Sequence, residues 1–295
     1  MFANSRYPPT EEVYGAVKGN TNWKEARYMF RDDRLQIITQ STATIGVLYD
    51  ALTDEATGGG DIEAFALLGL IQNNNPNRQA RFPDPRPSFL EQECIISNDT
   101  DDAIMLNQIK SFSIDGPARK LSLSAQSLIP YKATVMKLVD LRTVGDFADH
   151  YAVLVDSISF DDVTVSSKDL QTIYGGIERP IVAVFDTGLT GCLLIRNFAD
   201  TLQKHMAMEG KSGTVEQISS VSMTLQGGIH NRRVRSSVCN IDSSIQNDPR
   251  FYIQPIDLDW FDEIPYSPYI VVLGQTFLRQ GTLTIDINDR IATFI

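Results

Sequence analysis

The chain has 295 residues, 42% of them hydrophobic and 21% charged, enough to bury one or two ordinary cores. No apolar run approaches the roughly 20 residues that span a bilayer, and residues 1–6 lack the apolar core of a signal peptide. The formal net charge of −11 argues against nucleic acid or an anionic membrane as partner, since both require clustered Lys and Arg.

Residues 1–33 read as polar and loop-like, with Tyr7-Pro8-Pro9-Thr10 followed by Gly15, Gly19, Asn20 and Asn22. Arg34 to Leu52 reads as a hairpin containing Ile37-Ile38-Thr39 and Ile45-Gly46-Val47-Leu48-Tyr49. Gly58-Gly59-Gly60 connects it onward and lacks the Lys-Ser/Thr of a phosphate loop. Asn73-Asn74-Asn75-Pro76-Asn77 and Pro83-Asp84-Pro85-Arg86-Pro87 are loops by composition. Asp99-Thr100-Asp101-Asp102 lacks the Gly and closing Glu of a calcium loop and reads as a surface cap.

In the second half, Tyr151 to Phe160 is strand-like, and Ile181-Val182-Ala183-Val184-Phe185 is a continuous apolar run of the kind a strand shows when it is buried on both faces. Asp186-Thr187-Gly188 follows at once. A carboxylate leaving such a strand must be hydrogen-bonded or paired, Thr187 supplies a hydroxyl, and Gly188 supplies the freedom of a tight turn. Leu189 to Ile195 is a second strand-like run, and Asn197 to about Met208 is helical. Arg232-Arg233-Val234-Arg235 reads as a polar hairpin edge, and Gln246-Asn247-Asp248-Pro249 as a loop. Trp260-Phe261 with Tyr266 and Tyr269 forms an aromatic stretch suited to packing between strands or to lining a cleft. Ile270 to Gly274 is another apolar run ending in glycine, followed by a short amphipathic helix. Thr282 to Ile287 and Arg290 to Ile295 alternate around an Asn288-Asp289 turn.

This order resembles the carboxy-terminal lobe of the pepsin-like aspartic proteases. In that family a strand ending in Asp-Thr-Gly is followed by an apolar-apolar-Gly strand that threads beside the catalytic turn, here Val272-Leu273-Gly274, and then by Phe-Leu-Arg, here Phe277-Leu278-Arg279. The resemblance implies a mainly β, bilobal acid-protease fold with few short helices. It divides the chain into an altered or truncated amino-terminal lobe at 1–148 and a carboxy-terminal lobe at 149–295 that carries the Asp-Thr-Gly turn. In the first lobe it places the substrate-covering flap within 34–52 and the lobe's own apolar-apolar-Gly strand at Phe65 to Leu70. It places the following helix at Pro87-Ser88-Phe89-Leu90 and the closing strands at Ser111 to Ile114 and Leu121 to Leu123.

The departures from the family bear on activity. Residues 1–33 contain no Asp-Thr-Gly, and Thr39-Gln40-Ser41-Thr42 stands where the flap's Tyr and Gly belong. Two carboxyls about 3 Å apart must share a proton in this mechanism, one activating water and the other polarising the carbonyl. Asp186 supplies one. Asp32 and Asp33 lie in a charged run with Arg31 and Arg34 that reads as solvated surface, Asp50 fits a turn or cap, and Asp140 is late in the lobe; none precedes Thr/Ser-Gly. The expectation is therefore an aspartic-protease-like protein that has lost peptidase activity and serves as a binding or structural subunit of a complex, with Asp186, Thr187 and Gly188 a vestigial half-dyad. The alternative is an active aspartic endopeptidase that finds a second carboxylate within the chain or builds a homodimeric dyad. A third reading keeps the cleft as a peptide receptor or inhibitor. The expected partner in each case is protein or peptide.

Cys94, Cys192 and Cys239 are odd in number and far apart, which points to a reducing compartment while leaving room for one bridge at Cys192 or Cys239, and Cys192 reads as a buried small residue. With His150, His205 and His230 isolated, neither a metal site nor a cofactor is expected.

Overall fold

A computed structural model describes residues 3–14, 17–31, 37–53, 70, 88–93, 95–97, 104–144, 149–174, 179–187, 189, 191–215, 218, 220–225, 238–240, 253–256 and 268–295. These are mainly β. The chain divides into two compact units, residues 1–109 and 110–295.

The first unit is built on a long antiparallel ribbon. Strands β1 (Ala3–Asn4), β2 (Thr10–Tyr14) and β4 (Ile37–Thr53) all pair with β3 (Val17–Arg31). Two expectations are corrected here. The stretch 1–33 is strand rather than loop in 10–14 and 17–31, and 37–53 is one arm of a hairpin whose other arm is 17–31. Backbone pairing in a ribbon needs no continuous apolar face, so Thr, Asn, Lys and Glu fill β3 without the pattern that marks a buried strand. Gly19 lies at a register shift between Lys18 and Asn20, opposite the extra residue of a bulge on β4, and not in a turn that ends the strand. The Trp23 indole N–H donates to the Thr10 hydroxyl at 3.0 Å, which ties β2 to β3 through side chains as well. Phe89–Glu91 is a single 3-10 turn, shorter than the helix expected there. A second small sheet pairs β5 (Ile95–Ser97) with β6 (Ile104–Met105). Leu90, Leu106 and Ile109 are almost fully buried in this unit. The expectations for Gly58 to Gly60, Phe65 to Gly69, residues 73–77 and 83–87, and Asp99 to Asp102 lie outside the described residues.

In the second unit the described strands form one hydrogen-bonded sheet. They are β7 (Ser111–Asp115), β8 (Lys120–Ser124), β9 (Met136–Val139), β10 (Ala152–Phe160), β11 (Val163–Ser166), β12 (Ile181–Phe185), β13 (Cys192–Ile195), β14 (Ser220–Leu225), β15 (Val238–Asn240), β16 (Ile253–Ile256), β17 (Tyr269–Leu273), β18 (Thr282–Asp286) and β19 (Ile291–Phe294). The main path runs β16-β13-β17-β12-β10-β9-β19-β18-β7-β8. The lobe boundary expected at 148/149 falls inside this unit, between β9 and β10, which pair with each other. β7 and β8 pair as expected, but β7 also pairs with β18, so these strands belong to the second unit and do not close the first.

Every residue of β12 is buried, as its unbroken apolar run requires, and the strand lies inside the sheet between β17 in parallel and β10 in antiparallel. Helix α1 (Ser167–Tyr174) follows β11, and α2 (Arg196–Met208) follows β13. Phe198, Leu202 and Met206 recur every four residues on α2 and turn one face inward. The Phe198 ring lies 5.1 Å from Tyr269 and 6.1 Å from Phe160, joining helix to sheet. Gly210, at φ +76°, ends α2: its N–H donates to Ala207 and that of Lys211 to Met206, satisfying the last carbonyls. No helix among the described residues is long and apolar enough to cross a membrane.

Candidate functional site

Asp186 sits where β12 ends, and its position is set by the strand that crosses beside it. In register, Phe185 pairs with Leu273, so β17 reaches its last residue as the Asp186 turn begins. The Asp186 backbone N–H donates to the Leu273 carbonyl at 3.0 Å, and the Leu189 N–H closes the turn on the Asp186 carbonyl at 3.3 Å. The chain beyond β17 then passes against the far side of the turn. Gly274 N–H donates to Gly191 at 2.9 Å, and Gln275 N–H donates to Leu189 at 2.7 Å.

The crossing is too close for any side chain at 274. A Cβ there would lie 2.1 Å from the Gly191 oxygen and 2.5 Å from that of Leu189, so glycine is required by the approach of two backbones. The expected threading of Val272-Leu273-Gly274 beside the Asp-Thr-Gly turn is therefore what the backbone does. Beyond it the short helix Gln275–Leu278 turns the chain into β18. Its Gln275 side chain reaches back, Nε2 donating to the Thr187 carbonyl at 3.0 Å, while Arg279 Nη2 donates to Gln275 Oε1 at 3.1 Å.

Asp186 and Thr187 are both exposed, so the buried strand presents its terminal carboxylate at the surface of the chain. Gly188 lies outside the described residues. On the following strand Cys192 is buried, as its place between apolar neighbours predicts.

Of the other carboxylates weighed as partners, Asp32 and Asp33 lie outside the described residues, and Asp50 ends up near the close of β4. Asp140 is committed elsewhere. Arg142 forks onto it, Nε to Oδ1 and Nη2 to Oδ2, both at 2.8 Å. Those hydrogen bonds hold the Asp140 carboxyl below its ordinary range, the opposite of what a proton-donating member of a dyad requires. Arg142 also stands 3.5 Å from Asp149, whose other oxygen accepts from Arg290 Nη2 at 3.0 Å. The four charges clasp the start of β10 to the β18–β19 turn.

Among the described residues no group of three or more His, Cys, Asp or Glu side chains is placed to hold a metal ion. Arg232 to Arg235, His230, Trp260, Phe261 and Tyr266 lie outside the described residues. Tyr269 is buried against Phe198, the packing use of that aromatic stretch. The Gln275 brace escaped sequence reading altogether, because a donor aimed at a carbonyl 88 positions earlier leaves no local pattern. Compared with known proteins, the chain matches no family model and no curated sequence.

Proposed function

We propose that this chain is an aspartic-protease-like protein whose Asp186 turn binds extended polypeptide and that a single chain does not cleave what it binds. The observation that carries the reading is the Asp186-Thr187 turn itself, exposed at the end of a fully buried strand and locked to Leu273, Gly274 and Gln275. Such a carboxylate leaves a backbone fixed by hydrogen bonds and stands exposed to solvent. In the first unit every strand pairing among the described residues is antiparallel, unlike the parallel β12–β17 crossing that frames Asp186. Without a second such turn the water-activating and carbonyl-polarising roles fall on one group, and loss of one general acid or base is commonly worth about 10²–10⁴-fold in rate. The chain then acts as a binding subunit toward a protein or peptide.

The test is cleavage of a denatured protein at acid pH together with binding of pepstatin, a peptide analogue of the tetrahedral state. The expected result is that the monomer binds pepstatin, that Asp186→Asn weakens the binding, and that no cleavage is seen. Proteolysis by the monomer that disappears in Asp186→Asn would sink the proposal.

A second reading, an aspartic endopeptidase whose dyad is completed by a second copy, is favoured by the exposure of Asp186 and Thr187 on a unit whose strands, among the described residues, pair only with one another. Under it, specific activity rises with protein concentration along with the dimer fraction in sedimentation. Activity that stays absent across that range removes it.

A further inference from the structure

We propose that Gln275 is a positioning residue for the Asp186 turn and that Arg279 keeps its amide in the one orientation that works. This rests on the reading of that turn as the binding site. A side-chain amide has two ends, a donor and an acceptor, and only one end suits a carbonyl. Thr187 offers a carbonyl oxygen 3.0 Å away, so it must be met by the NH₂ end. The opposite end is met by the Arg279 guanidinium, a pure donor, at 3.1 Å, and the two neighbours therefore specify the same orientation.

The arrangement is also rigid in its support. The Gln275 backbone N–H is bonded to Leu189 on the exit side of the turn, while its side chain is bonded to Thr187 on the entry side. One residue thus grips both limbs of the turn that displays Asp186. Arg279 is in turn held by its own N–H, which donates to the Gln275 carbonyl at 2.8 Å, a short-range link that keeps guanidinium and amide together. A binding carboxylate gains affinity when its geometry is fixed before the ligand arrives, because less ordering remains to be done on association.

The experiment uses the full chain with Gln275→Ala and Arg279→Lys, and reads amide hydrogen exchange and pepstatin affinity. In Gln275→Ala the amides of Leu189 and Gly274 exchange about tenfold faster, the scale of one lost hydrogen bond, while those of Val182 and Val271 in the core strands keep their wild-type rates. Arg279→Lys, which still presents a donor to Oε1, retains wild-type exchange at the turn. Unchanged exchange at the turn in Gln275→Ala, or equal acceleration in the core strands, overturns the proposal. Exchange decides the brace by itself; failure of the wild-type chain to bind pepstatin overturns the binding reading instead.

Discussion

A methyl group added at Gly274 would sit 2.1 Å from one carbonyl oxygen and 2.5 Å from another, and both belong to backbone that cannot rotate away. Gly274→Ala is therefore expected to cost at least about 2 kcal/mol, the range of overpacked interiors, read as a lower urea midpoint with an unchanged slope. The charge clasp makes a different kind of demand. Because hydrogen bonds from Arg142 depress the Asp140 carboxyl in the folded chain, its contribution is present above the unfolded value of about 3.9 and is lost as pH falls through the lower folded value. Asp140→Asn should then lower stability at neutral pH, read as a lower melting temperature, by no more than about 1 kcal/mol because both partners are partly in water. The gap to wild type should close on acidification, when Asp140 is protonated in both states; a gap that stays constant with pH would show that the pair is not the source. At this scale the Asp186 turn and the buried Cys192 were legible, since each is marked by its immediate neighbours, whereas the crossing at Gly274 was expected only from the family resemblance. The roles of Gln275 and of the Asp140–Arg142 fork were not, because the residue types alone do not say what they face.

The elements divide the same way. β12, α2, β17 and the β18–β19 hairpin were legible because burial on one or two faces writes a period into the residues. β2 and β3 were missed because a ribbon is held by backbone bonds, which any residue but proline can make. Such a ribbon carries its own hazard, an edge with open donors and acceptors. Gln92 covers that edge of β4 at one point: its Oε1 accepts from the Thr44 N–H at 2.6 Å and its Nε2 donates to the Thr44 carbonyl at 3.1 Å, as a paired strand would. Gln92→Ala should cost about 1 kcal/mol for the lost bonds and should raise self-association in light scattering. Stability that falls without any rise in association would mean that this position on the edge is not exposed to pairing.

The division at 109/110 makes a prediction for the whole molecule. The strands from β7 to β19 pair only with one another among the described residues, so a fragment of residues 110–295 should fold alone and unfold cooperatively in urea. A fragment starting at residue 149 lacks β7, β8 and β9, leaving the open edges of β10, β18 and β19, and should be markedly less stable or aggregate. Equal stability of the two fragments would place the boundary later. What the sequence by itself determined was the set of buried strands in the second half and the carboxylate at the end of one of them, because burial and tight turns act on residues a few positions apart. Only the tertiary structure decided that β17 crosses the Asp186 turn at Gly274 and that Gln275 grips both its limbs. It also decided that residues 10–14, 17–31 and 37–53 form a ribbon of paired strands. Those outcomes depend on which distant segments the chain brings together, and long-range pairing is set by the path of the whole backbone.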